Sequence, residues 1–117
     1  MNEHGLVIGN QAVFSNEIVE RRAGLIVMDL PRLALERLRN RNRNEAVDYI
    51  ASRLEAHGQG GTRFGSDVAQ DHNSFNFADP HGAVFMETLD RHWVMREVER
   101  DSLSNHICTG TDWDQCS

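Results

Sequence analysis

From Gly5 to Phe14 the chain reads Gly-Leu-Val-Ile-Gly-Asn-Gln-Ala-Val-Phe, with Leu6, Ile8, Ala12 and Phe14 on one parity. A period of two over apolar and β-branched residues predicts a strand with one buried face. Asn10 interrupts that face, and a carboxamide there needs hydrogen-bond partners or a cavity. Farther on the period changes. Leu30, Leu33, Ala34, Arg37 and Leu38 recur at three and four residues, which predicts a helix with one apolar stripe. Asp29 caps it, and Pro31 falls in the first turn, where a missing amide costs nothing. The run Gly24-Leu25-Ile26-Val27-Met28 fits a helix or an extended segment; a helix starting there would kink at Pro31.

A second helix follows. Asn42 and Glu45 form a capping box, Ala46, Val47, Ile50, Ala51 and Leu54 make its buried face, and His57 precedes a terminating Gly58. The residues Gly58 to Thr62 read as a loop, and the two helices as an antiparallel hairpin. The last third is extended. Ser74 to Ala78 and Ala83 to Thr88 flank the turn Asp79-Pro80-His81-Gly82, and a second turn near Leu89-Asp90-Arg91 leads into His92 to Val98. The prediction is an α+β domain: one strand, a helical hairpin, then a three-stranded antiparallel meander, with both helices over one sheet face.

Composition narrows the function classes. A length of 117 residues allows at most one domain, small for a complete enzyme. The net charge of −6 argues against a nucleic-acid partner, because phosphate binding needs a surplus of cations. All twelve basic residues are arginine, and the stretch Arg37 to Arg43 suits a solvated helix end. No apolar run approaches the ~20 residues of a membrane span, and Met1-Asn2-Glu3-His4 is not a secretory leader; a cytoplasmic location and no membrane partner follow by default. Cys108 and Cys116 match no zinc spacing and read as reduced thiols, although a bridge between them is geometrically possible.

Five blocks resemble the secernin and dipeptidase-A-like cysteine peptidases. They are Asn2-Glu3-His4-Gly5-Leu6 with Gly9-Asn10-Gln11-Ala12-Val13; Met28-Asp29-Leu30 with Arg32 to Arg37; Glu55 to Gly61; Glu87-Thr88 with His92-Trp93; and Ser104-Asn105 with Gly110-Thr111-Asp112-Trp113-Asp114. Their order along nearly the whole chain makes the resemblance specific. It implies part of an N-terminal-nucleophile hydrolase, two sheets between helical layers, acting on short peptides without a cofactor. In that chemistry a cysteine at the mature amino terminus attacks an amide carbonyl while amide donors hold the oxyanion. Here Met1 and Asn2 stand where no nucleophile can, and the family's nucleophilic strand lies upstream of the first block. The expectation is therefore an internal segment of a single peptidase domain, lacking the nucleophile and the downstream remainder, and inactive alone. The alternatives are a non-catalytic binding or regulatory module, or a subunit that pairs with a complementing chain through exposed sheet edges.

The resemblance singles out Asn105 for substrate binding, by its place in its block; the competing role is a turn asparagine bonding its own backbone. Asn10 is the other substrate-binding candidate, against a purely structural amide. No catalytic residue is assigned. His72, His81, His92 and His106, with Asp71, Asp79 and Asp90 nearby, have no metal-ligand spacing and read as surface or packing groups. His106 and Cys108 lack a third, orienting group. Asp112 and Asp114 flank a tryptophan expected to pack in a turn. The loop Gly58-Gln59-Gly60-Gly61 has no following Lys-Ser or Lys-Thr and follows a helix, so it is not a phosphate cradle.

Overall fold

The computed structural model describes residues 1–15, 25–36, 41–60 and 72–117. Strand β1 (Val7–Val13) leads to a short β2 (Leu25–Ile26), helices α1 (Asp29–Glu36) and α2 (Arg43–His57), and a short β3 (Gln59–Gly60). Then come β4 (His72–Asp79), β5 (Gly82–Leu89), β6 (His92–Val98) and β7 (Gln115–Cys116). The main sheet has five strands in the order β1-β4-β5-β6-β7, every pairing antiparallel. The predicted meander is its centre, and the first strand joins it at β4.

Register decides which side chains meet. Ile8 opposes Phe77, Asn10 opposes Phe75, and Phe75 and Phe77 oppose Met86 and Val84 on β5. Met86 in turn opposes Met95 on β6. Apart from Asn10, these residues cluster with Leu30 and Ala34 of α1 and Ala46, Val47, Ile50, Ala51 and Leu54 of α2. The helices thus cover one sheet face, as the amphipathic pattern predicts. The predicted capping box is present: Asn42 Oδ1 accepts the Glu45 amide at 3.0 Å, and Glu45 Oε2 accepts the Arg41 amide at 2.7 Å. Gly58 ends α2 with φ 69°, its amide bonded to the Leu54 carbonyl. A side chain is disfavoured in that conformation, which explains the glycine.

Two local expectations need correction, and one open alternative is decided. Leu25–Ile26 is extended, and it pairs in parallel with Gln59–Gly60, so part of the predicted Gly58–Thr62 loop is strand. Leu33 is exposed at 38%, while Leu35 packs against the core, so the apolar face of α1 is rotated from the predicted stripe. Tertiary contact with β1 and β2 sets the orientation of this two-turn helix more strongly than its own periodicity. Arg37, Leu38 and the rest of the 37–40 stretch lie outside the described residues, as do Gly61, Thr62 and Asp71. Among the described residues, no helix is long and apolar enough to cross a membrane.

The second sheet face is partly covered too. After β6, residues 99–114 return as an irregular strap held by the Asn105, Cys108, Thr109 and Asp114 amides or side chains. On this face the strap amides cover Glu87 and Arg96 lies over the Phe85 ring, while Val84 and Met86 face the helices, so β5 is buried on both faces.

Candidate functional site

The resemblance-bearing blocks have recognisable local structure. In the first, Asn2 Oδ1 accepts the amides of His4 and Leu6, both at 3.1 Å, and closes the turn that delivers β1. Gly5 in that turn has φ 80° and abuts Pro80, so a side chain there is strained. In the third and fourth, Glu55 on α2 accepts the Trp93 indole at 2.9 Å, and its carbonyl accepts Arg91 at 2.6 Å. These bonds tie the end of α2 to β6.

Asn10 and Asn105 come to the same strand. Asn10 lies on the helix-facing side of β1 and donates its side-chain amide to Asn73 Oδ1 at 3.2 Å. Asn105 sits on the strap, beyond the edge of β1. It donates its side-chain amide to the Ala12 carbonyl at 2.7 Å, and its own carbonyl accepts the Phe14 amide at 2.9 Å. Gln11 is tied to the Ser104 carbonyl at 2.5 Å. Asn105 therefore pairs with the strand edge, in place of the turn role in which it would bond its own backbone.

Behind Asn10 a polar row runs across the helix-facing side of the sheet. Thr88 donates its hydroxyl to the Asn73 carbonyl at 2.6 Å, and Gln59 donates its amide to Thr88 Oγ1 at 2.7 Å and to the Asp90 carbonyl at 3.0 Å. Gln59, Asn73 and Thr88 are all buried. Gln59 Oε1 is buried without a partner among the described residues. Gln59 and Thr88 lie within resemblance-bearing blocks, but neither they nor Asn73 was expected to be a buried, bonded polar group. The available signal was polar residues in otherwise apolar strands, because burying a carboxamide is costly unless it is bonded.

The other singled-out residues stay apart. His72 is buried, and its Nδ1 accepts the Asp90 amide at 3.3 Å, a packing role. His81 and His106 are exposed, and His92 stands at the β7 edge with Nδ1 3.4 Å from Ser117 Oγ. Among the described residues, no three His, Cys, Asp or Glu side chains gather as a metal site. Cys108 and Cys116 are free and exposed. The Cys108 thiol contacts Ser104 Oγ at 3.1 Å and the His106 carbonyl at 3.4 Å, so these contacts do not make a thiol–imidazole pair. Trp113 is 46% exposed, which overturns the packing role expected of it. Asp114 instead holds its block to β6, accepting the Glu97 amide at 2.7 Å and donating to the Met95 carbonyl at 2.9 Å.

Among the described residues, Asp79 is a carboxylate held away from its ordinary pKa. Burial pushes its pKa up, but the amides of Arg43 and His81 and the Arg43 guanidinium outweigh burial and hold it below the ordinary value. Its contacts are to α2 and its own turn, a joint of the fold remote in sequence from the asparagines. No protein-family model matches the chain, and no solved structure matches it.

Proposed function

We propose that this chain supplies the carbonyl-binding side of a cysteine-type amidohydrolase that acts on short peptides, as part of an N-terminal-nucleophile hydrolase fold. The observation that carries the reading is the approach of two carboxamides to β1: Asn10 on the strand and Asn105 bonded at Ala12, two residues further on. Each bond uses one hydrogen of a side-chain NH2, which leaves each amide a second N–H to donate. Neutral donors aimed at a carbonyl oxygen are what acyl transfer requires as negative charge develops there. The ordered blocks of resemblance supply the reaction class. A thiolate forms the C–S bond, the oxyanion takes the asparagine N–H groups, and the C–N bond breaks as the amine leaves with a proton. Water then cleaves the thioester. The nucleophile in this reading is neither Cys108 nor Cys116, whose exposed thiols have no base partner among the described residues.

The test is titration of the isotope-labelled chain with Ala-Ala, read at the side-chain amide signals of Asn10 and Asn105. Saturable shifts of both, weakened severalfold by Asn105→Ala, and no hydrolysis of the dipeptide are expected. Unmoved signals would refute the binding role. Turnover that survives replacement of both cysteines by serine would refute the division of labour.

A second reading has its own observation. Among the described residues, no strand pairs with β1 on the side away from β4. Asn105 caps only the Ala12–Phe14 end of that edge, and a strand edge without a partner strand is a template for another chain, so an assembly module is the function it suggests. Light scattering tests it: a monomer at every concentration, with no partner strand accepted, removes this reading.

A further inference from the structure

On the face of the sheet turned away from the helices, a cleft of about 330 Å³ opens between the strap and the β6–β7 edge. Its apolar walls include Leu89, Val94 and Ile107, and its polar lining includes Glu87, His92 and Cys116. Glu87 is the anomaly. It is 2% exposed, on a central strand, and carries a carboxylate. Its partners are backbone amides: Cys108 N–H donates to Oε1 at 2.7 Å and Thr109 N–H to Oε2 at 2.6 Å. These donors occupy one lone pair on each oxygen, and no other donor among the described residues reaches the remaining ones. Its cross-strand neighbours are Ser74, whose buried hydroxyl has no partner among the described residues, and Val94. No arginine or histidine among the described residues makes an ion pair with it. A buried charge of this kind is held by the strap but not neutralised, and neutralisation is worth most where water is excluded.

We infer that this cleft is a binding site for a small primary ammonium compound with an apolar body, its cation on Glu87 and its hydrocarbon against Leu89, Val94 and Ile107. The volume falls at the small end of ligand pockets, and apolar walls with one charged anchor are the usual makeup of such sites. The class follows from the chemistry of the anchor. An ammonium brings several N–H donors to open carboxylate lone pairs, whereas a carboxylate ligand would be repelled and an alcohol would leave the charge unpaired. This site lies on the opposite side of the sheet from Asn10 and does not depend on the amidohydrolase reading.

The test titrates the full chain with 2-phenylethylammonium, 2-phenylethanol and phenylacetate, near-isosteric probes that differ in charge. Because the negatively charged chain attracts any cation weakly, the readout is the backbone amide signals of Cys108 and Thr109. Saturable shifts at both amides, with the ammonium bound at least about tenfold more tightly than the alcohol, are expected. Equal affinity for alcohol and ammonium, or ammonium shifts that miss these amides, would overturn the inference. Glu87→Gln should remove the preference for the ammonium. Should that variant release the strap, Cys116→Trp provides the second arm, since it fills the mouth of the cleft from an edge strand and keeps the carboxylate. It is expected to abolish binding of the ammonium, and unchanged affinity would overturn the site.

Discussion

Replacing Asp79 by alanine tests how the helical layer is fastened to the sheet. Asp79 closes β4, and its side chain is 1% exposed. Oδ2 accepts the Arg43 amide at the start of α2 at 2.9 Å, and Oδ1 accepts the Arg43 guanidinium at 3.0 Å. Oδ1 also accepts the amides of His81 at 2.8 Å and Gly82 at 3.1 Å, which shape the β4–β5 turn. One carboxylate thus joins a helix N-terminus, a hairpin and a cation. Removing one partner of a buried pair costs about 3–5 kcal/mol, because the other charge is left behind. Arg43 keeps a weaker contact with Glu97 at 3.6 Å, which points to the lower end of that range. A small domain has only about 5–15 kcal/mol to lose.

Urea unfolding followed by circular dichroism measures this directly. With a slope of about 1–3 kcal/mol per molar urea, a 3 kcal/mol loss moves the midpoint by about 1–3 M. The sign with pH follows from the depressed pKa. Below its ordinary value of 3.8 the unfolded state binds the proton first, so stability falls as pH falls through the folded value. Above 3.8 the contribution is fully present. The gap between wild type and Asp79→Ala should therefore be constant at neutral pH and close on acidification. A loss below about 1 kcal/mol at pH 7 would put this joint among surface ion pairs and refute the reasoning.

Gln59→Leu leaves the Asp90 carbonyl without its donor and Thr88 without the donor to its oxygen; about 1–3 kcal/mol of stability should be lost in the same urea assay. Gly9→Ala drives a Cβ into Asn76 Oδ1, the end of an exposed side chain able to move away. The change should cost under about 1 kcal/mol alone and nothing in an Asn76→Ala background, read as the coupling in a double-mutant cycle. Phe75→Ala empties the centre of the helix-facing core, where Phe75 is fully buried, and should cost about 3–5 kcal/mol by thermal or urea unfolding. Glu87→Ala removes the acceptor of the Cys108 and Thr109 amides, so hydrogen exchange at those two amides should speed well beyond that of β5.

The elements legible in the sequence are those specified by neighbours in the chain. The Asn42–Glu45 box, the Gly58 stop, the Asp79–Gly82 turn and the alternation of β4 each act within a few residues, so local periodicity and turn chemistry reveal them. The pairing of β1 with β4 joins residues as far apart as Val7 and Ala78, and no local signal encodes that register. The parallel β2–β3 contact was hidden for the same reason, since two residues are too few to show a period. The strap did leave a trace. Val84, Phe85 and Met86 run apolar without alternation, a pattern that belongs to a strand covered on both faces. A glutamate next in that run must be buried with partners or must end the cover, and Glu87 is the former.

The two asparagines separate along the same line. Asn10 was legible from physics alone, because it breaks the parity of Leu6, Ile8 and Ala12 and so had to be bonded inside, as it is to Asn73. Asn105 lies in irregular chain, where no period exists to be broken, and only the resemblance of its block singled it out. Its bonds to Ala12 and Phe14 nevertheless give it a consequence that the sequence did not. By holding the end of the β1 edge, it fixes where the strap begins its course toward Glu87, three residues before Cys108. The carboxamide at β1 and the carboxylate under the strap are thus two anchors of one segment. Loosening Asn105 should be felt at the Cys108 amide, whereas loosening Asn10 should not.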